Sequence, residues 1–182
     1  MTASIMTAGV VLHLTDADAT ERLAHALAKT APRPAVVWLQ GDLGAGKSTL
    51  ARGWLRALGV AGAIRSPTYT LVERYALAEG VLAAESAQAI DGSAAGGEAL
   101  HLDLYRIADG AELEFLGLDD ADAALWLVEW PERGGDALPA PDLRVALAIE
   151  GQGRRCELVP MSPAGASWLQ SLATAQGVAV PC

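Results

Sequence analysis

AVVWLQGDLGAGKSTLARGWLRAL, residues 35–58, decides the fold. AVVWLQ (35–40) is an unbroken apolar run of strand-forming residues, as in a strand buried on both faces. TLARGWLRAL then runs at helical spacing to a stop at Gly59. Between them Gly41, four residues, and Gly46-Lys47-Ser48 reproduce the spacing of a phosphate loop in the strand-then-helix setting that loop requires. Glycines let the chain curl until successive N–H groups point inward at a polyphosphate, and the helix N-terminus adds partial positive charge. Lys47 reaches the outer phosphates and Ser48 supplies a hydroxyl for Mg²⁺. The loop predicts a nucleotide contact along Gly41, Asp42, Leu43, Gly44, Ala45, Gly46, Lys47, Ser48 and Thr49. Lys29 and Lys47 are the only lysines, so the one in the loop is not drawn from a lysine-rich background.

The other 158 or so residues must supply the rest of one compact domain, since a chain of 182 residues falls in the range of one domain. With 52% apolar and 19% charged residues a core can be filled and whole-chain disorder is excluded. Thirteen basic against 22 acidic residues give a net charge of -9, which disfavours a protein that coats nucleic acid. No apolar run is long enough to span a membrane, and no Lys or Arg precedes Arg22 to make the positive start of a signal peptide. A cytoplasmic protein is expected. Cys156 and Cys182 have no metal or redox spacing and read as free thiols.

Outward from the loop, GVVLHL (9–14) reads as a strand, and Thr15 with Asp18 as a capping box for a helix running to about Lys29. After a turn at Ser66-Pro67, TYTLVERYAL reads as a strand and ALHLDLYR (99–106) as its neighbour. Residues 78–98 are dominated by Ala, Gly and Ser, predicting a flexible surface insertion. Asp109 and Glu112 form a second capping pattern before AELEFL, with Gly117 as its stop, and LWLVEW (125–130) is a buried strand ended by Pro131. DLRVALAIE (142–150) and RRCELVP (154–160) form a hairpin, and Ser162-Pro163 starts a final helix. The rhythm predicts an α/β fold: a single P-loop NTPase domain over 1–182 whose central sheet mixes parallel and antiparallel strands and is flanked by helices.

The chain contains no asparagine and no Asp-x-x-Gly, so the guanine-reading and γ-phosphate-sensing motifs of GTPases are absent and ATP is the expected nucleotide. Phosphoryl chemistry also needs acidic groups to hold Mg²⁺ and orient water. Asp103, and Glu129 at the end of an apolar strand, are the candidates; α/β sheets bind ligands at the C-terminal ends of their strands. Thr68, in Ser66-Pro67-Thr68, is a candidate switch residue or part of a plain turn. His101 reads as structural, Arg52 and Arg56 as exposed, and Trp126 and Trp130 as core residues flanking Glu129.

GDLGAGKST, SPTYTL, HLDLYR, ELEFLGL and VEWPE occur in one order, and over roughly residues 10–160 the chain closely resembles the TsaE (YjeE) family of small bacterial ATPases. The resemblance implies a P-loop fold, ATP/ADP and Mg²⁺ as ligands, and a role in making threonylcarbamoyladenosine at position 37 of tRNAs that read codons starting with A. It implies a weak ATP hydrolase, stimulated by TsaD and TsaB, that sustains turnover of their complex without performing the carbamoyl transfer. Carried over, Lys47 would neutralise phosphates, Ser48 would ligate Mg²⁺, Thr68 would belong to the switch segment and Asp103 would be the Walker-B-like carboxylate. Glu129 would approach Mg²⁺ or its waters, with Trp130 beside it. Ser48 replaces a common threonine, keeping the hydroxyl, and the tract at 78–98 is an expansion.

The acidic charge predicts docking on proteins, with tRNA contacted indirectly or weakly, through partners or through Arg106, Arg154 and Arg155. Two other readings remain: a small-molecule kinase, whose lid by position would be 78–98 although that segment has no Arg or Lys, and a nucleotide-gated interaction protein.

Overall fold

A computed structural model describes residues 9–77, 97–118 and 123–176. Seven strands form one sheet: β1 (Val10–Leu14), β2 (Ala35–Gln40), β3 (Val72–Ala76), β4 (Glu98–Asp103), β5 (Ala123–Glu129), β6 (Leu143–Glu150) and β7 (Gly153–Pro160). Among the described residues three α-helices accompany them: α1 (Ala17–Thr30), α2 (Lys47–Ala57) and α3 (Pro163–Gln176). The order across the sheet is β1-β7-β6-β2-β5-β4-β3. β2 runs parallel to both β5 and β6, and β4 parallel to β5. The outer pairs β3–β4, β6–β7 and β1–β7 are antiparallel. The sheet is therefore mixed, as expected, with its parallel strands in the middle.

Alternation along the parallel strands supplies two apolar faces. Val37, Leu39, Leu127, Leu143 and Val145 join the core that α1, α2 and α3 contribute to, while Leu100, Leu102, Trp126 and Val128 form a second cluster on the other side. Trp54 of α2 meets Trp168 of α3 edge-on, with ring centroids 5.6 Å apart, and the Trp168 indole N–H donates to Thr30 Oγ1 at 3.0 Å. Three helices are thus tied at one point.

Several local expectations shift. The N-cap of α1 is Asp16, not Thr15: the Asp16 carboxylate accepts the Ala19 N–H at 2.7 Å, and the Thr15 hydroxyl donates to Asp16 instead. β3 begins at Val72, because Leu71 takes a left-handed φ of 64° and its N–H donates to Pro67 O at 2.7 Å, making 67–71 a turn. Glu98, placed in the insertion by composition, opens β4 and pairs with Ala76; residues 78–96 of that segment lie outside the described residues. The capping box at Asp109 and Glu112 is present, but Gly110–Leu116 is 3₁₀ rather than α. With Leu113 its only buried side chain, it has no apolar stripe to pack over two turns. At α3 the Ser162 hydroxyl accepts the Gly165 N–H at 3.0 Å, so the Ser-Pro start is as expected.

Cys156 is fully buried in β7. Burial pushes its thiol up to about 12, and thiol reagents attack the thiolate. In a Cys182→Ser chain, Cys156 is expected to stay unlabelled by a maleimide under native conditions and to react fully in denaturant. Rapid native labelling would show that β7 opens readily.

Candidate functional site

Three strand ends make the site. Leu39 of β2 and Asp103 of β4 both register against Glu129 of β5, so the glycine loop after β2 and two carboxylates emerge together at the C-terminal edge of adjacent parallel strands. The loop's shape depends on positive φ at Gly41 (137°), Gly44 (78°) and Gly46 (108°). At Gly41 space is limiting too, since a Cβ there would overlap the Leu147 carbonyl oxygen.

Lys47 opens α2 and is only 5% exposed. Its ammonium donates to the carbonyls of Gly41 at 2.7 Å and Asp42 at 2.9 Å, and lies 4.1 Å from the centroid of the Trp130 ring. Burial pushes the Lys47 ammonium below the usual lysine value, opposed by the charges of Glu129, Asp103, Glu132 and Asp42.

Both carboxylates are buried, Glu129 at 2% and Asp103 at 5% exposure. Neither is within ion-pair distance of an Arg or Lys among the described residues, so hydrogen bonds hold them. Glu129 Oε2 accepts from the Ser48 hydroxyl at 2.9 Å, and its Oε1 lies 2.8 Å from His101 Nε2. A carboxylate oxygen accepts, so that ring carries its proton on Nε2. Asp103 Oδ2 accepts from Thr68 Oγ1 at 2.7 Å, and Oδ1 accepts the Tyr105 N–H at 3.1 Å. The turn bearing Thr68 is fastened to the same strand end, since Asp103 N–H donates to Leu71 O at 3.1 Å.

A cavity of about 210 Å³ lies among these groups. Of the residues singled out from sequence, Leu43, Gly44, Gly46, Lys47, Ser48, Thr49, Thr68, Asp103, Glu129 and Trp130 line it. Gly41, Asp42 and Ala45 shape the loop without lining the cavity. Trp130 is half-buried and serves both sides: it packs against the second apolar cluster, but a left-handed φ of 58° just before Pro131 ends the strand, and its ring meets Tyr105 at 5.0 Å between centroids at the cavity wall. Trp126, by contrast, packs in the core as expected. Arg56 is exposed and reaches Glu21 at 3.3 Å.

Sequence reasoning missed Tyr105 as a lining residue and the direct hold of His101 on Glu129. The available signal for His101 was its spacing: two residues before Asp103, it shares that carboxylate's strand face, while only the register with β5 sets it against Glu129. Among the described residues no three His, Cys, Asp or Glu side chains gather as a ready metal cage. No helix among them is long and apolar enough to cross a membrane.

The family profile described as "Threonylcarbamoyl adenosine biosynthesis protein TsaE" matches residues 14–156. The Haemophilus influenzae "tRNA threonylcarbamoyladenosine biosynthesis protein TsaE" is 39% identical over 132 residues, covering 71% of this chain and 73% of the relative. The Bacillus subtilis protein of the same name is 32% identical over 140 residues, covering 76% and 77%. Among solved structures, Bacillus subtilis YdiB superposes with a TM-score of 0.71 at 21% identity, covering 95% of this chain and 99% of that one, which shows a shared fold. Profile and relatives agree: the chain belongs to the TsaE family of threonylcarbamoyladenosine biosynthesis proteins.

Proposed function

We propose that the chain binds ATP with Mg²⁺ at the glycine loop, hydrolyses it weakly alone, and supports repeated turnover of a TsaD–TsaB complex in threonylcarbamoyladenosine modification of tRNA. The observation that carries the reading is the meeting of a buried lysine, a hydroxyl and two buried carboxylates at one end of the sheet. Lys47 is buried with no carboxylate in direct contact among the described residues, and its donors rest on the loop's own neutral carbonyls. A γ-phosphate would replace those carbonyls as acceptor and supply a counter-charge.

The donor set fits Mg²⁺. It is a hard cation that keeps several waters and takes one or two carboxylates together with phosphate oxygens, so no cage of three side chains is needed. Ser48, Glu129 and Asp103 are the residues that would hold it or its waters. When bound, Mg²⁺ supplies neutralisation of the charge developing on the transferred phosphoryl group. The chain's own residues do the rest. Lys47 binds the outer phosphates, Glu129 orients the attacking water under the grip of His101, and Thr68 on Asp103 places the switch turn beside the reacting end. A cavity of about 210 Å³ is below the roughly 300 Å³ of a full ligand pocket, so it suits the phosphate tail, with Trp130 and Tyr105 at its wall.

Phosphate release from ATP, measured alone and with TsaD and TsaB, tests this function. Hydrolysis is expected to rise when both partners are added, without a phosphorylated metabolite appearing. A rate unchanged by the partners would remove the partner-coupled reading, and stoichiometric phosphorylation of a small hydroxyl compound would replace it with a kinase.

A further inference from the structure

Arg154, the second residue of β7, is a candidate tRNA contact by sequence, but its guanidinium is engaged with the protein itself. Nε donates to the Ala45 carbonyl at 3.0 Å, Nη2 to the Gly44 carbonyl at 3.1 Å and Nη1 to the Gly153 carbonyl at 2.8 Å. Two of the three acceptors belong to the glycine loop, more than a hundred residues away in sequence. The loop divides two cavities. Lys47 and Ser48 line the larger one described above; Arg154 lines a separate one of about 120 Å³, and Gly46 and Thr49 border both.

This placement matters because Gly44 and Gly46 both have positive φ, and glycine populates several backbone conformations at little cost. A Cβ added at either would meet nothing within 4 Å, so hydrogen bonds and not side-chain packing at the glycines select the observed one. In a planar trans peptide the C=O and N–H point in opposite directions. Arg154 takes the Ala45 carbonyl from its own side of the loop, so the Gly46 N–H of that same peptide is turned toward the cavity lined by Lys47 and Ser48. The preceding peptide is fixed at both ends, by Arg154 on Gly44 O and by the Ala45 N–H donating to Asp42 O at 3.1 Å. A cationic donor on these carbonyls also polarises the peptides, strengthening the amides as donors.

We infer that Arg154 is a positioning residue of the anion site: it holds the Ala45–Gly46 peptide so that the Gly46 amide faces a polyphosphate before one arrives. Arg154 lines the other cavity and touches no phosphate. The planar fork holds two adjacent carbonyls through separate nitrogens in one fixed geometry, which the single nitrogen of a lysine does not reproduce. The role rests on the nucleotide reading proposed above.

The test uses the full chain as wild type, Arg154→Lys and Arg154→Ala, with two readouts. ATP affinity with Mg²⁺ is measured by calorimetry, with and without millimolar guanidinium, and the Gly46 amide is followed by ¹⁵N NMR without nucleotide. Arg154→Ala is expected to bind ATP about tenfold more weakly, as for loss of charge-assisted bonds to a site that must then order itself. Arg154→Lys should lose less, and guanidinium should restore part of the affinity of Arg154→Ala while leaving wild type unchanged. The Gly46 amide resonance should shift or broaden in Arg154→Ala and return with guanidinium, which a general loss of stability would not produce. ATP binding by Arg154→Ala as tight as wild type, or an unmoved Gly46 amide, overturns the assignment. Wild type that binds no ATP would overturn the nucleotide reading instead, a result separable from either of these.

Discussion

Lys47→Ala is expected to abolish measurable ATP binding while leaving the chain folded. The ammonium is nearly fully buried at the start of α2, and two of its donors are spent on the carbonyls of Gly41 and Asp42. Exchanging those neutral acceptors for phosphate oxygens makes the bonds charge-assisted on both sides. At about 1.5–3 kcal/mol for each bond to a charged group, losing two weakens Kd on the order of a hundredfold or more. Among the described residues no other basic side chain lines the cavity, so none nearby substitutes. Equilibrium dialysis with labelled ATP reads the affinity, and a melting curve checks that the variant is folded. Unchanged affinity in a folded Lys47→Ala chain would mean that the loop does not bind phosphate through its lysine.

Glu129→Gln is expected to act on the other half of the cycle. Glutamine keeps the length of the side chain and its ability to bond Ser48 and His101, but removes the charge. Alanine would also leave those two groups without partners, which mixes a folding penalty into the result. In the partner-stimulated assay kcat should fall roughly a hundredfold or more, as for loss of a group that positions or deprotonates water, with ATP affinity changed far less. A kcat that survives while affinity collapses would move Glu129 from hydrolysis to binding, and Asp103 would then be the carboxylate that orients water.

The division between what the sequence announces and what only the folded chain reveals follows from range. The loop, its flanking strand and helix, the hairpin and the caps at Asp109 and Ser162 are local patterns, legible because a few neighbouring residues determine them. Glu129 was legible because a carboxylate closing so apolar a run needs a partner. What escaped depends on which strands lie side by side. His101 touches Glu129 only because β4 and β5 are parallel neighbours in one register. Arg154 reaches the loop only because β7 folds back on β6, and β6 lies beside β2. Strand alternation places Trp130 against the second apolar cluster, where it does pack; the left-handed φ at this last step, which also puts its ring at the cavity wall, is not announced by the alternation.

Calorimetric titration of the purified, folded wild-type chain with ATP in the presence of magnesium bears most directly on the central claim. Saturable heat at a single site, absent in Lys47→Ala, is the predicted result. A folded wild-type chain that gives no heat with ATP would contradict it.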